Sequence, residues 1–138
     1  MSKMTILSAG ALLVDVLAND AELSQNCNKV FPIVSEEGAE LPYICYRRQN
    51  ITPTVYKGGQ GLSGANTANY EVVCFAETEA QSLVMAERVA ELLDGKSYVY
   101  TDDHTGATLV ARSIVLVNAD ELWQGDAYAQ NLQFQIKI

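Results

Sequence analysis

The spacing of hydrophobic and polar positions changes at Thr78, and that change sets the elements on either side of it. Tyr70 to Ala76 is rich in aromatic and β-branched residues, which suit a pleated, half-buried strand. Thr78-Glu79-Ala80-Gln81 has the form of a capping box, in which a hydroxyl and a side chain three residues on satisfy amides that a helix start leaves unpaired. Leu83, Ala86, Val89, Ala90 and Leu93 then recur at three and four residues and predict a helical stripe. Glu79, Glu87, Arg88 and Glu91 fall mostly away from it. Gly95 predicts the stop, because glycine takes the left-handed conformation beyond a helix end without a Cβ penalty.

Upstream, Ile6, Ala9, Leu13, Val16 and Leu17 trace one face of a helix from about Thr5 to Asn19. Its wide apolar arc predicts burial against a sheet. Ala21 to Lys29 reads as a turn. Val30-Phe31-Pro32-Ile33 is a short extended piece, since Pro32 disfavours helix at Phe31. Leu41 to Gln49 is the first substantial strand, with Pro42 at its start, where it removes no central hydrogen bond. Alternation sends Tyr43, Cys45 and Arg47 to one face and Ile44, Tyr46 and Arg48 to the other. Neither face is cleanly apolar, which points to a second subunit on one side.

Past the long helix come Ser97 to Tyr100 and a turn, Asp102-Asp103-His104-Thr105-Gly106. Thr108 to Asn118 is a third main strand, expected to be covered on both faces over Ile114 to Val117. Asp120 to Asp126 is expected to turn the chain. The last strand alternates clearly, with Tyr128, Leu132, Phe134, Ile136 and Ile138 inward and Asn131, Gln133, Gln135 and Lys137 outward. The short turn makes it the hairpin partner of the strand before it. The order predicts an α+β domain, residues 1–138 as one unit: a mostly antiparallel four- to five-stranded sheet, two helices on one face and a long glycine-rich hairpin arm.

That arm, Asn50 to Ala68, carries Gly58, Gly59, Gly61 and Gly64 and has no helical period. Structureless connections beyond ~12–15 residues are uncommon in compact domains and usually functional or disordered. Because it joins two strands, it reads as a flexible arm, with Tyr56, Lys57 and Leu62 as its contact residues. Gly59-Gln60-Gly61-Leu62-Ser63-Gly64 matches the dinucleotide fingerprint, but that chemistry needs a following helix to receive the pyrophosphate, and here a strand follows.

The other candidate chemistry is sparse. His104 is the only histidine; its neighbours Asp102 and Asp103 would need further ligands for a metal, and a polar turn explains them. Cys27, Cys45 and Cys74 have no paired spacing and read as reduced thiols, with a Cys45–Cys74 bridge left open. Arg47, Arg48 and Lys57 are the one basic concentration, read as salt-bridge or interface residues. No cofactor, metal or catalytic residue is expected. Nine Lys and Arg against 17 Asp and Glu give a net charge of −8, which argues against specific nucleic-acid binding and favours protein partners. Ser8, Gly10 and Asp15 interrupt the apolar N-terminal run, so a signal peptide is not expected, and no stretch approaches the ~18 apolar residues of a membrane span.

The sequence of pieces resembles a known group. An apolar N-terminal helix is followed by Val30-Phe31-Pro32, by Leu41 to Tyr46 (LPYICY) and by a glycine-rich arm. Strand plus helix from Tyr70 to Gly95 and a terminal hairpin complete it. This is similar to the small tail-completion, or head–tail joining, proteins of long-tailed phages and prophages, a family similar in fold to phage tail terminators. The resemblance implies a non-enzymatic ring, typically of six subunits, capping the head-proximal end of the tail tube. Its implied partners are copies of itself, the tail tube protein and head or neck connector proteins. The implied location is the virion tail or neck, reached from the bacterial host cytoplasm during assembly. Uncapped strand edges and an arm would supply the heterologous patches a ring needs, and acidic residues lining the bore would let DNA pass. The competing expectation is a small ligand-binding or regulatory domain that dimerises through its sheet and closes the glycine loop over a metabolite. An enzyme built on Asp102, Asp103 and His104 is a more distant one.

Overall fold

Thr78 caps a helix as its sequence predicts: its hydroxyl accepts the Gln81 amide at 3.1 Å, and α3 runs over Glu79–Leu93. Asp94 returns its amide to the Ala90 carbonyl, and Gly95 takes φ +73°. The corner is then tied to the sheet, because the Gly95 amide donates to the Ile114 carbonyl and Asp94 Oδ1 accepts the Leu116 amide. The computed structural model describes residues 8–27, 29–33, 38–53, 66–124 and 126–138. Within them the remaining elements are α1 (Ala9–Ala18), α2 (Ala21–Ser24), β1 (Lys29–Pro32), β2 (Tyr43–Pro53), β3 (Asn66–Ala76), β4 (Lys96–Thr101), β5 (Thr108–Gln124) and β6 (Ala127–Lys137).

The class is α+β, as expected, but the sheet is larger and mixed. Among the described residues it has six strands in the order β1-β2-β3-β6-β5-β4, and β1 lies parallel to β2 while the other pairings are antiparallel. The short turn between β5 and β6 gives antiparallel neighbours, whereas β1 and β2, consecutive in the chain, run in the same sense. Among the described residues there are also three helices rather than two. The turn expected after Asn19 holds α2, because Asp20 caps it through the Leu23 amide at 2.8 Å.

The core lies between α1, α3 and one face of the sheet. Leu12, Leu13 and Leu17 of α1 and Met85, Val89 and Leu93 of α3 meet Ile44, Val72, Cys74, Phe134, Ile136 and Ile114, all with at most 1 % exposure. The stripe on α3 differs from the expected one. Ser82, Met85, Ala86, Val89 and Leu93 are buried, whereas Leu83 and Val84 face out. Ser82 is accommodated in the buried face because its hydroxyl donates to the Glu79 carbonyl and accepts from the Gln130 amide. On the opposite face Phe31, Tyr43 and Phe75 form an aromatic run with ring centroids 5.7 and 5.2 Å apart, beside buried Cys45, Val73 and Ala129.

β5 departs most from expectation. It continues through the predicted turn to Gln124, because Asp120 to Gln124 stay paired with Asn131 to Ala127. Val115 pairs with Gln135 on the face without helices and Val117 stands at a bulge between Leu116 and Asn118, so both are exposed rather than covered.

Candidate assembly surfaces

The borders of the sheet are stepped. β1 covers β2 only over Tyr43 to Tyr46, and β4 covers β5 only over Thr108 to Ile114. Among the described residues, β2 beyond Tyr46 and β5 beyond the Asp94-capped Leu116 have no strand on their outer sides. Open backbone edges of this kind are templates for pairing with another chain. At the far end of β5, Trp123 packs edge-on against Tyr128 with centroids 4.9 Å apart, yet is 62 % exposed. The reading of Asp120 to Asp126 as a turn missed this pair; the signal available was a lone tryptophan in an acidic, otherwise polar tract.

Arg47 and Arg48 sit on the uncovered part of β2, on opposite faces. Arg47 approaches Glu71 at 3.5 Å, with its side chain half exposed. Arg48 hydrogen-bonds the Tyr70 hydroxyl, whose proton affinity burial raises against the pull of that guanidinium. Both arginines line an open cleft of about 460 Å³ with Gly10, Pro32, Ile33 and Tyr46. Gly10 lets the helix approach Tyr46 closely, since a Cβ would stand 2.9 Å from the Tyr46 ring and one of them would have to shift. Tyr56, Lys57 and Leu62, the expected arm contacts, lie outside the described residues, as do the four glycines of the arm. The base of the arm is a paired hairpin, with Asn50 opposite Asn69 and Pro53 opposite Asn66. The glycine fingerprint is therefore followed by β3, not by a helix.

The remaining candidates have structural explanations. Asp102 accepts from the His104 amide and the Thr105 hydroxyl, which hold its carboxyl below the usual range in an exposed turn. Among the described residues no cluster of His, Cys, Asp or Glu could hold a metal. Cys45 and Cys74 are free, and they cannot bridge. Cys45 pairs with Val73 and Cys74 with Ile44, so the two thiols point to opposite faces. Burial pushes Cys45 to about 11 and Cys74 higher still, which makes both poor nucleophiles. Arg88 draws charge together on the helix side, taking Asp20 in a two-pronged grip at 2.8 and 2.9 Å, with Glu22 and Glu91 close by.

Among the described residues the architecture is thus a mixed six-stranded sheet carrying helices on one face, with two stepped open borders. Solved structures place it further. The chain is similar to a chain in the virion of a native gene transfer agent particle, at 15% identity and a TM-score of 0.67, covering 96% of this chain and 98% of that one. It is also similar to the bacteriophage SPP1 gp17 protein, at 19% identity and a TM-score of 0.50, covering 96% and 89%. At such identities the likeness is one of fold, and the fold is the one that the resemblance to tail-completion and head–tail joining proteins implies. No protein-family model and no curated protein sequence matches the chain.

Proposed function

We propose that this chain is a non-enzymatic structural component of a phage or prophage tail, seated in the virion tail or neck at the head-proximal end of the tube. Copies associate there as a ring and contact the tail tube protein on one side and a head or neck connector on the other. The observation that carries this reading is a fold shared over nearly the whole chain with proteins of phage and phage-like particles. The stepped edges support it, since a ring needs one patch that meets a different patch on the next copy. Arg47 and Arg48 border one such patch, and Tyr56, Lys57 and Leu62 extend the contact along the arm. A metabolite-binding domain would instead need convergent polar groups in a closed pocket, and the cleft beside Arg48 is open.

Removing the gene from the phage or prophage that carries it tests the proposal. The expected result is separate heads and tails, restored to complete particles by the wild-type chain. Complete, functional particles without the gene would overturn it.

A further inference from the structure

The ladder of the sheet relates the two borders in height. Trp123 is paired with Tyr128, Tyr128 with Ala76, and Ala76 follows Phe75, the partner of Tyr43. Tyr43 is in turn level with Lys29 on β1. Trp123 therefore stands one residue step beyond Lys29, at the opposite edge of the molecule. By the same ladder Ala119, Asp120 and Glu121 are level with Pro32, Phe31 and Val30. Strand directions also agree. β1 and β2 run one way, β3 the other, β6 with β2, and β5 with β3. A second copy placed alongside at equal height thus sets its β1 antiparallel to the open stretch of β5, the geometry of an ordinary hairpin ladder.

Side chains match across this contact. Trp123 follows Ala119 and Glu121 in alternation and so lies on the helix side of the sheet, where Glu121 meets Gln130 and Gln130 meets Ser82. On the helix side of β1, at the same height, is a mostly apolar hollow of about 320 Å³ lined by Val14, Leu17, Ala18, Leu23, Cys27 and Val30, with Ser24 and Lys29 also in its wall. On the opposite face Asp120 comes level with Phe31, over whose ring Lys29 Nζ sits at 5.2 Å. Charge separates the two borders: Asp120 and Glu121 on one, Lys29 with Arg47 and Arg48 on the other. Joining two β5 borders would set carboxylates against carboxylates, which disfavours a symmetric contact. Pro32 offers no amide to a ladder, so backbone pairing alone is weak here and a buried aromatic anchor must supply most of the affinity.

We propose that the occupant of the α1–α2–β1 hollow is Trp123 of a second copy of this chain, with Asp120 of that copy beside Lys29. This heterologous junction deepens the ring reading above and rests on it.

Trp123 is the only tryptophan, so its fluorescence reports the contact directly. As the wild-type chain is concentrated, emission should shift to the blue and acrylamide quenching should fall in step with the mass from light scattering. Trp123→Ala and Val14→Arg, each with the wild-type circular dichroism spectrum, should associate at least ~10-fold more weakly. Mixed in equal amounts they should form one-to-one pairs and stop, because the first keeps only a hollow and the second only an anchor. Should Val14→Arg fail to fold, Asp120→Lys and Lys29→Glu serve instead. Each alone should be weakened, and their mixture should regain wild-type assembly. A mixture no better than either partner overturns the junction, as does assembly that leaves the tryptophan fully quenchable. A wild-type chain still monomeric near ~1 mM overturns it too. Any of these results, with the chain still found in particles, refutes the junction while leaving the component role intact.

Discussion

Truncating Leu13 to alanine probes whether α1 holds the two borders of the sheet in one frame. α1 touches β1, β2, β4 and β5, yet it is short, and Ser8 gives it no side-chain cap. Isolated helices of such length are marginal in water, so its order comes from packing. Leu13 is fully buried. Deleting its three outer carbons removes about 2.4 kcal/mol at ~0.8 kcal/mol per buried group, and the cavity left behind raises the cost toward ~5 kcal/mol. With an unfolding entropy of about 2.1 cal/mol/K per residue, a chain of 138 residues should lose roughly 8 to 17 °C in Tm. Urea titration followed by circular dichroism, with a parallel melting curve, measures both. A loss below ~1 kcal/mol with α1 still helical would refute the claim that this helix is a structural brace.

Thr78→Ala should cost ~1 kcal/mol by removing the cap on Gln81, and Thr78→Ser should retain most of it in the same titration; equal losses would show that the hydroxyl is not the cause. Stability should fall as pH rises from the ordinary thiol value of 9.0 towards about 11. The native state holds the Cys45 proton more tightly than the unfolded chain, and Cys74 and Tyr70 act in the same direction. A urea midpoint that stays flat over that interval would contradict this. On the acid side Asp20, lowered chiefly by its hydrogen bonds to Arg88, contributes stability present above its ordinary value of 3.8 and lost below it, a loss absent from Asp20→Asn. Deleting Lys57 to Gly64 should leave a folded monomer with weakened self-association; unchanged assembly would remove the arm from the contact surface.

The strand–helix corner was legible because its signals are local. Thr78 satisfies the Gln81 amide three residues on and Gly95 takes the left-handed conformation just past the helix end, and such chemistry survives any tertiary context. The terminal hairpin was legible for the same reason, through clean alternation in Leu132, Phe134 and Ile136. What the sequence hid depends on distant partners. Nothing within Val30-Phe31-Pro32 encodes that β1 lies parallel to β2. Asp120 to Gln124 look turn-like because acidic and amide residues dominate, yet pairing with β6 keeps them extended. Leu83 looks like core because it falls in line with Ala86, Val89, Ala90 and Leu93, and only packing against the sheet centres the buried arc on Ser82, Met85, Ala86, Val89 and Leu93. Arg47 and Arg48 stand out in the sequence by charge alone, whereas the exposure of Trp123 is a property of the fold and has no local signal.

The most direct test of the central claim is to locate and count this chain in purified particles, by quantitative mass spectrometry and gold labelling of a tagged copy. The account predicts a small fixed number of copies per particle, labelled at the head-proximal end of the tail. Absence from particles, or label scattered along the tube, would contradict it.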